Sequence, residues 1–213
     1  MNIALIGASG FVGSSIMNEA LSRGHYVTAI VRNPDKIKIQ NPKLSIKKTD
    51  LLKNDISEIV AKHDAIVSAY NSGWQNPNIY EDFLKGYDSI LKAAKNSKVK
   101  RIIVVGGSGS LEVSPGVQLV DSPDFPLEWK QGALAARELL AIFKKEKELE
   151  WTFVSPAIML EPGERTGKFQ IGKDKVVYNN KGESKISVAD LAVAIINELE
   201  KPQFKKQRFT IAY

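Results

Sequence analysis

Short apolar runs alternate along this chain with longer stretches whose apolar positions recur every three or four residues. The first run, Ile3 to Ile6, stops at Gly7, and a pattern of helical spacing starts directly after it at Phe11, Val12 and Ile16, reaching Arg23 before Gly24 ends it. Tyr26 to Val31 alternates and is rich in β-branched residues, which marks a second strand, and Leu44 to Lys48 predicts a short third one. Asp64 to Ser68 and Arg101 to Val105 are apolar runs of strand length. The latter carries no polar residue after Arg101 and predicts a strand covered on both faces. Between them, Phe83, Leu84, Tyr87, Ile90, Leu91 and Ala94 form one stripe on a helix from Ile79 to Lys95. A second long helix is predicted from Trp129 to Lys147, with Ala133, Ala136, Leu140 and Phe143 on one side. Trp151 to Ser155 reads as a strand stopped by Pro156, Val188 to Leu199 as a helix capped by Ser184 or Ser187, and Arg208 to Ala212 as a last strand. About seven strands interleaved with about five or six helices predict an α/β fold, a three-layer, doubly wound and mainly parallel sheet with residues 1–213 as one domain.

Composition narrows the chemistry more than the fold. With 43% hydrophobic and 25% charged residues over 213 positions, the chain is an ordinary globular one. It has no cysteine, which excludes disulfides, thiolate metal sites and cysteine nucleophiles, and no metal site is predicted. No apolar run approaches the ~20 residues of a membrane span, and the first strand starts at once, so a cytoplasmic protein without membrane contact is expected. The net charge of +6 comes from scattered lysines such as Lys36, Lys38, Lys43, Lys47, Lys48, Lys201, Lys205 and Lys206. No aromatic residues are interleaved with them, so no nucleic-acid groove is expected, although the charge helps to attract an anionic ligand.

Candidate chemistry concentrates where apolar runs end. Gly7, Gly10 and Gly13 are spaced G-x-x-G-x-x-G between a strand and a helix. In that context Gly7 permits the reversal, Gly10 admits a pyrophosphate to the backbone, and Gly13 brings helix and strand together. Ala8, Ser9, Phe11 and Val12 complete a turn whose N–H groups and helix dipole face the phosphates of a dinucleotide. About 20 residues beyond this turn, where an NAD site carries an acidic residue, stand Arg32 and Asn33. Either the guanidinium there matches a 2′-phosphate in charge and shape, which points to NADP(H) rather than NAD(H), or Arg32 is a surface residue at a strand end and NAD is bound anyway. After the third strand, Asp50 and Leu51 either line an adenine, or Asp50 caps the following segment. Ala69 and Tyr70 end the next strand at the carboxyl edge, where open parallel sheets bind ligands. Ser108, in the Gly106 to Ser110 turn, is placed either as a hydroxyl beside a nicotinamide or as a turn cap. The loop from Leu111 to Pro126 is long enough to be a binding loop. The polar segment from Glu161 to Phe169 carries Arg165 and Thr166, which either hold a substrate anion or lie on a plain surface loop. His25 and His63 fall in turns away from this edge and read as structural.

Together these pieces make the chain resemble the atypical short-chain dehydrogenase/reductases with an NAD(P)-binding Rossmann fold, in the group of NADH-flavin reductases, biliverdin reductase B-like and NmrA-like proteins. The residues that carry the likeness are GASGFVG at Gly7 to Gly13, Val31-Arg32-Asn33, Thr49-Asp50-Leu51, VVGGSGSL at Val104 to Leu111, Ser155-Pro156-Ala157 and PGERTGKF at Pro162 to Phe169. The resemblance implies cofactor contacts at the glycine turn, Arg32, Asp50, Leu51, Ala69 and Pro156. It implies an acceptor pocket among Tyr70, Ser108, Trp129 and the Arg165–Thr166 loop, with residues 107–128 and 157–186 forming a small substrate side. The chain departs from the family's Tyr-x-x-x-Lys dyad: aligned on Glu138, those positions hold Lys130 and Leu134.

Without the dyad, the expected activity is hydride transfer from NAD(P)H to a flavin-like or quinone-like acceptor, with FMN or another flavin as substrate. Ser108 and Lys130 are the candidate catalytic residues, Lys130 either stabilising charge on the acceptor or facing solvent. Tyr70 and Trp129 either stack on the acceptor or pack in the core. The alternative is an NADPH-sensing regulator without turnover, and a sugar-nucleotide epimerase or dehydratase fits less well. A small-molecule acceptor is the expected partner, and the protein is expected as a monomer or homodimer.

Overall fold

Strands from both ends of the chain meet in one sheet. The computed structural model describes residues 1–213. In chain order the elements are β1 (Asn2–Ile6), α1 (Phe11–Ser22), β2 (Tyr26–Val31), β3 (Leu44–Lys48), α2 (Ser57–Val60), β4 (Ala65–Ser68), α3 (Ile79–Ser97) and β5 (Arg101–Val105). They continue with β6 (Glu112–Ser114), β7 (Val117–Gln118), α4 (Leu127–Lys145), β8 (Glu150–Ser155), β9 (Met159–Glu161), β10 (Gln170–Gly172), β11 (Lys185–Ser187), α5 (Val188–Glu200) and β12 (Gln207–Ala212). The main sheet has 8 strands in the order β3-β2-β1-β4-β5-β8-β12-β10. All neighbours are parallel except β10, which runs antiparallel to β12. The winding reverses between β1 and β4, and the carboxyl ends of these two strands flank the crevice where doubly wound sheets take ligands.

The helices cover both faces. β1, β4 and β5 read as nearly unbroken apolar runs because alternate residues enter two cores of similar size. One core of 26 buried residues lies under α1 and α5, and the other of 24 lies under α2, α3 and α4. α5 is buried around most of its circumference, from Val188 to Leu199, and its apolar sequence reflects this. Ser187 rather than Ser184 is its cap, the Oγ accepting from Asp190 N at 3.0 Å.

Three-residue strands account for the difference between about seven strands read from the sequence and eight in the sheet. β10 has a single large apolar residue, Ile171, and exists because β12 offers an edge to pair with. The same holds for β9 with β11 and for the β6–β7 hairpin, all within stretches that read as loops. His25 bonds the N-terminal amine and Glu200, and His63 bonds Thr28 Oγ1 at 2.8 Å, so both histidines hold turns together. No helix is long and apolar enough to cross a membrane.

At the amino edge of the sheet, Arg101 begins β5 almost fully buried. Its guanidinium donates to Glu198 Oε1 at 2.7 Å, to Thr152 Oγ1 at 2.8 Å and to the Glu150 carbonyl at 2.9 Å. Glu198 also accepts from Gln203 N and Phe204 N, which fixes the turn into β12. Removing one partner of such a pair leaves a buried charge without its counterion. Glu198→Ala is therefore expected to lower unfolding stability by about 3–5 kcal/mol, measured by urea denaturation. A loss under about 1 kcal/mol would mean that water reaches Arg101 and that the pair is an ordinary surface one.

Candidate functional site

The three glycines of the first turn have different reasons to be there. Gly7 has φ +79°, and a β-carbon on it would lie 2.6 Å from the Ala69 carbonyl oxygen, across the β1–β4 crevice. A β-carbon on Gly13 would lie 2.1 Å from the Gly7 oxygen. The fold itself requires both. Gly10 differs: its backbone is extended (φ −82°, ψ 173°), it is exposed, and a β-carbon there would meet nothing nearer than the Gly7 oxygen at 3.4 Å. Nothing within the protein demands glycine at this position. It stands at the start of α1, which has no side-chain cap and no acidic residue in its first turn. The first intrahelical bond is Ser14 N to Gly10 O, so the N–H groups of Phe11, Val12 and Gly13 point outward without backbone acceptors. A β-carbon on Gly10 would fill this cradle, and N–H donors with a positive dipole end suit a pyrophosphate.

At the end of β2, Arg32 is exposed and makes no ion pair or hydrogen bond. The other five of the six arginines, Arg23, Arg101, Arg137, Arg165 and Arg208, are all salt-bridged. Asn33 beside it accepts from Asp35 N and caps a short 3₁₀ turn. After β3, Asp50 Oδ1 accepts from Leu52 N at 3.0 Å, closing an Asx turn, which is the capping alternative of the two read in the sequence. Leu51 is buried in the core under α3.

Tyr70 is likewise a core residue. Its ring stacks on Phe83 at 6.2 Å and meets Tyr87 edge-on at 5.7 Å, and its hydroxyl donates to the Asp82 carbonyl at 3.0 Å. Burial pushes the phenol up to about 12, against the opposing pull of the Arg32 guanidinium. The hydroxyl therefore stays protonated near neutrality and is spent on α3, and the packing alternative holds for this ring. Ala69, half-buried, remains as the β4 contribution to the crevice.

On the other side of the crevice, the Ser108 hydroxyl bonds to nothing in the protein; its carbonyl, not its side chain, closes the turn by accepting from Leu111 N at 2.8 Å. Across from it, the first turn of α4 presents Trp129, half exposed, and Lys130, which has no ion-pair partner. α4 contains no tyrosine. Pro156 is buried at the exit of β8. The loops at 107–128 and 157–186 are stitched together. Glu112 N donates to the Asp174 carbonyl and Val176 N donates to the Glu112 carbonyl, and the buried Arg208 donates to Ser110 O and Oγ and to Asp174.

Arg165 and Thr166 correct the sequence reading. Arg165 donates twice to the buried carboxylate of Glu19, at 2.7 and 2.8 Å. Glu19 lies eight residues into α1, about 12 Å along the helix axis from the glycine turn. Thr166 Oγ1 donates to Asp190 at 2.6 Å, and the Thr166 and Gly167 amides donate to the same carboxylate at 2.9 and 2.7 Å. The segment is a clasp across α1 and α5, and neither side chain is free to hold a substrate anion. The signal for this was the pair of acidic residues, Glu19 and Asp190, on otherwise apolar helix faces. Two further clefts open on the surface, one between α5, β10 and β12 beside Phe204, the other beside α3 among Leu51, Lys53, Lys85 and Lys92.

A family model described as NAD(P)H-binding matches residues 7–202. The uncharacterised protein YwnB of Bacillus subtilis (strain 168) is 41% identical, the match covering 99% of this chain and 98% of that protein. Among solved structures, a candidate epimerase from Bacteroides thetaiotaomicron is 46% identical with a TM-score of 0.93, covering 100% of this chain and 96% of that one. A candidate NADH-flavin reductase from Streptococcus pneumoniae TIGR4 is 36% identical with a TM-score of 0.88, covering 100% and 99%.

The clasp carries an expected pH dependence. Arg165 holds the Glu19 carboxyl below its usual value of 4.5, with Arg23 adding to the effect and burial opposing it. A depressed carboxylate contributes stability that is complete above its unfolded value and is lost as the pH falls through the folded one. Melting temperatures followed downward from neutrality are expected to show an acid loss beginning near pH 4.5 that is smaller in Glu19→Gln. Identical acid slopes in both proteins would assign the loss to other carboxylates.

Proposed function

The chain belongs to the NAD(P)H-binding family, and on that premise we propose that it is an NADPH-dependent reductase passing hydride to a flavin-like or quinone-like acceptor. The observation that carries the choice of cofactor is Arg32, the arginine left without an acidic partner, at the strand end beside the glycine turn. A guanidinium there pairs with a 2′-phosphate and offers nothing comparable to a ribose 2′-hydroxyl. Gly10 and the N–H groups of Phe11, Val12 and Gly13 take the pyrophosphate, and Ala69 and Pro156 bound the crevice in which the cofactor lies. The reduced nicotinamide, when bound, supplies the hydride.

The choice of acceptor follows from what the site lacks and from one relative. α4 offers Lys130 and Leu134 where a Tyr-x-x-x-Lys dyad would move a proton, so an acceptor that needs no protein acid fits best. A flavin or quinone takes hydride to give an anion that water protonates. Lys130 and the free Ser108 hydroxyl are the groups available to steady that anion. The S. pneumoniae candidate NADH-flavin reductase supports the same reading. The absent dyad fits a second reading equally, an NADPH sensor without turnover. The B. thetaiotaomicron relative keeps an epimerase in view, although that chemistry ordinarily uses the missing tyrosine.

Loss of NADPH absorbance with FMN, riboflavin or a small quinone, with NADH in parallel, tests the proposal. Turnover favouring NADPH is expected. Thermal stabilisation by NADPH with no turnover on any acceptor would replace the reductase with the sensor, and turnover of a nucleotide sugar would replace it with the epimerase. Gly10→Val is expected to fold normally, since its β-carbon has room, yet to abolish NADPH binding; unchanged affinity would remove the cradle from the argument. Arg32→Asp is expected to move the NADPH-to-NADH affinity ratio by about tenfold or more toward NADH. An unaltered ratio would show that Arg32 does not meet the 2′-phosphate.

A further inference from the structure

Two of the three indoles of this chain stand half in solvent, Trp74 at 58% and Trp129 at 50% exposure, whereas Trp151 is buried. Trp74 sits in the loop from β4 into α3, at the carboxyl edge of the sheet. That loop is held firmly. Gly73, at φ +115°, donates to Asn71 Oδ1 at 2.7 Å, and Asn76 N donates to the Gly73 carbonyl at 3.0 Å. Asn76 Nδ2 donates to Asp82 at 2.9 Å, and the buried Ser72 hydroxyl donates to the Ile79 carbonyl at 3.0 Å. The backbone thus holds the indole in a fixed place with much of its ring open to solvent.

The ring has a seat. A β-carbon on Gly132 of α4 would come within 2.7 Å of Trp74 Cζ3 and 3.0 Å of Ile79 Cδ1, so the missing side chain at Gly132 is what admits the indole edge. The next residue, Ala133, packs against Gly109, where a β-carbon would lie 2.9 Å from the alanine methyl. The Gly132–Ala133 step thus joins Trp74 on one flank of α4 to the turn of Ser108 on the other, one helical turn beyond Trp129.

We infer that Trp74 determines acceptor specificity, as a rigid aromatic platform that stacks a planar, electron-poor conjugated ring next to the Ser108 turn. This rests on the reductase reading and deepens it. The electron-rich indole face favours an isoalloxazine or quinone ring over an aliphatic carbonyl or a sugar, which have no π-face to stack. Tyr70, spent on α3, leaves this role to an indole that the motif pattern does not mark.

Calorimetric titration of riboflavin into the protein saturated with NADP⁺ reads the platform without turnover. Trp74→Ala is expected to weaken riboflavin binding by about tenfold or more, and Trp74→Phe by less than about threefold. Gly132→Ala, which unseats the indole but keeps it, should fall between them. In turnover, the Trp74→Ala defect should appear chiefly in KM for the flavin, with NADPH affinity retained. The inference is overturned if riboflavin and menadione do not bind the unaltered protein. It is also overturned if Trp74→Ala binds riboflavin within about twofold of the unaltered protein, or if the Ala and Phe variants lose flavin and NADP⁺ binding alike. Flavin affinity that follows the ring at position 74 in a protein that never oxidises NADPH would leave the platform and refute the reductase. Turnover with an unchanged KM in Trp74→Ala would do the reverse.

Discussion

The close approach between Gly13 and the carbonyl of Gly7 decides where everything else at the site can be. A β-carbon at Gly13 would overlap that oxygen, and one at Gly7 would overlap the Ala69 carbonyl. With both absent, α1 starts hard against the end of β1, and β1 closes on β4 at the point where the winding reverses. The outward N–H groups of α1, the exits of β2 and β4 and the first turn of α4 are then all referred to one short stretch of backbone. Gly10 lies inside this arrangement without being needed by it. That contrast separates a glycine that the fold does not require from two that it does.

The charged residues divide in the same way. Arg101 with Glu198, Arg165 with Glu19 and Arg208 with Asp174 fasten the amino edge, the α1–α5 clasp and the loops at 107–128 and 157–186 respectively. Each guanidinium makes several hydrogen bonds within the protein, and each is thereby removed from the set available to a ligand. Of the guanidinium groups only that of Arg32 remains without a carboxylate, at the end of β2. Aromatic residues sort likewise: Tyr70, Phe83, Tyr87 and Trp151 fill the core under α3 and α4, while Trp74 and Trp129 are left at the rim.

The sequence by itself determined the alternation of elements, the doubly wound sheet and the cradle at Gly7 to Gly13, because each rests on local rules. Apolar periodicity selects helix or strand, and a glycine turn between a strand and a helix has one productive geometry. The place of Arg32 at the end of β2 was legible too, since it depends only on where that strand stops. What only the tertiary structure decided was the use of side chains whose partners lie far away in the chain. Arg165 and Thr166 read as a substrate loop because a cation and a hydroxyl among exposed turn residues look available. Their engagement depends on Glu19 and Asp190, 146 and 24 residues away. Tyr70 stood at the right edge, yet its orientation follows from the packing of α3. Trp74 gave no periodic or motif signal at all, and its role emerges only when Gly132, from another helix, is seen to make room for it. Local chemistry is written in neighbouring residues, whereas the commitment of a side chain to the core, a clasp or the crevice is settled by which distant groups the fold brings within bonding distance.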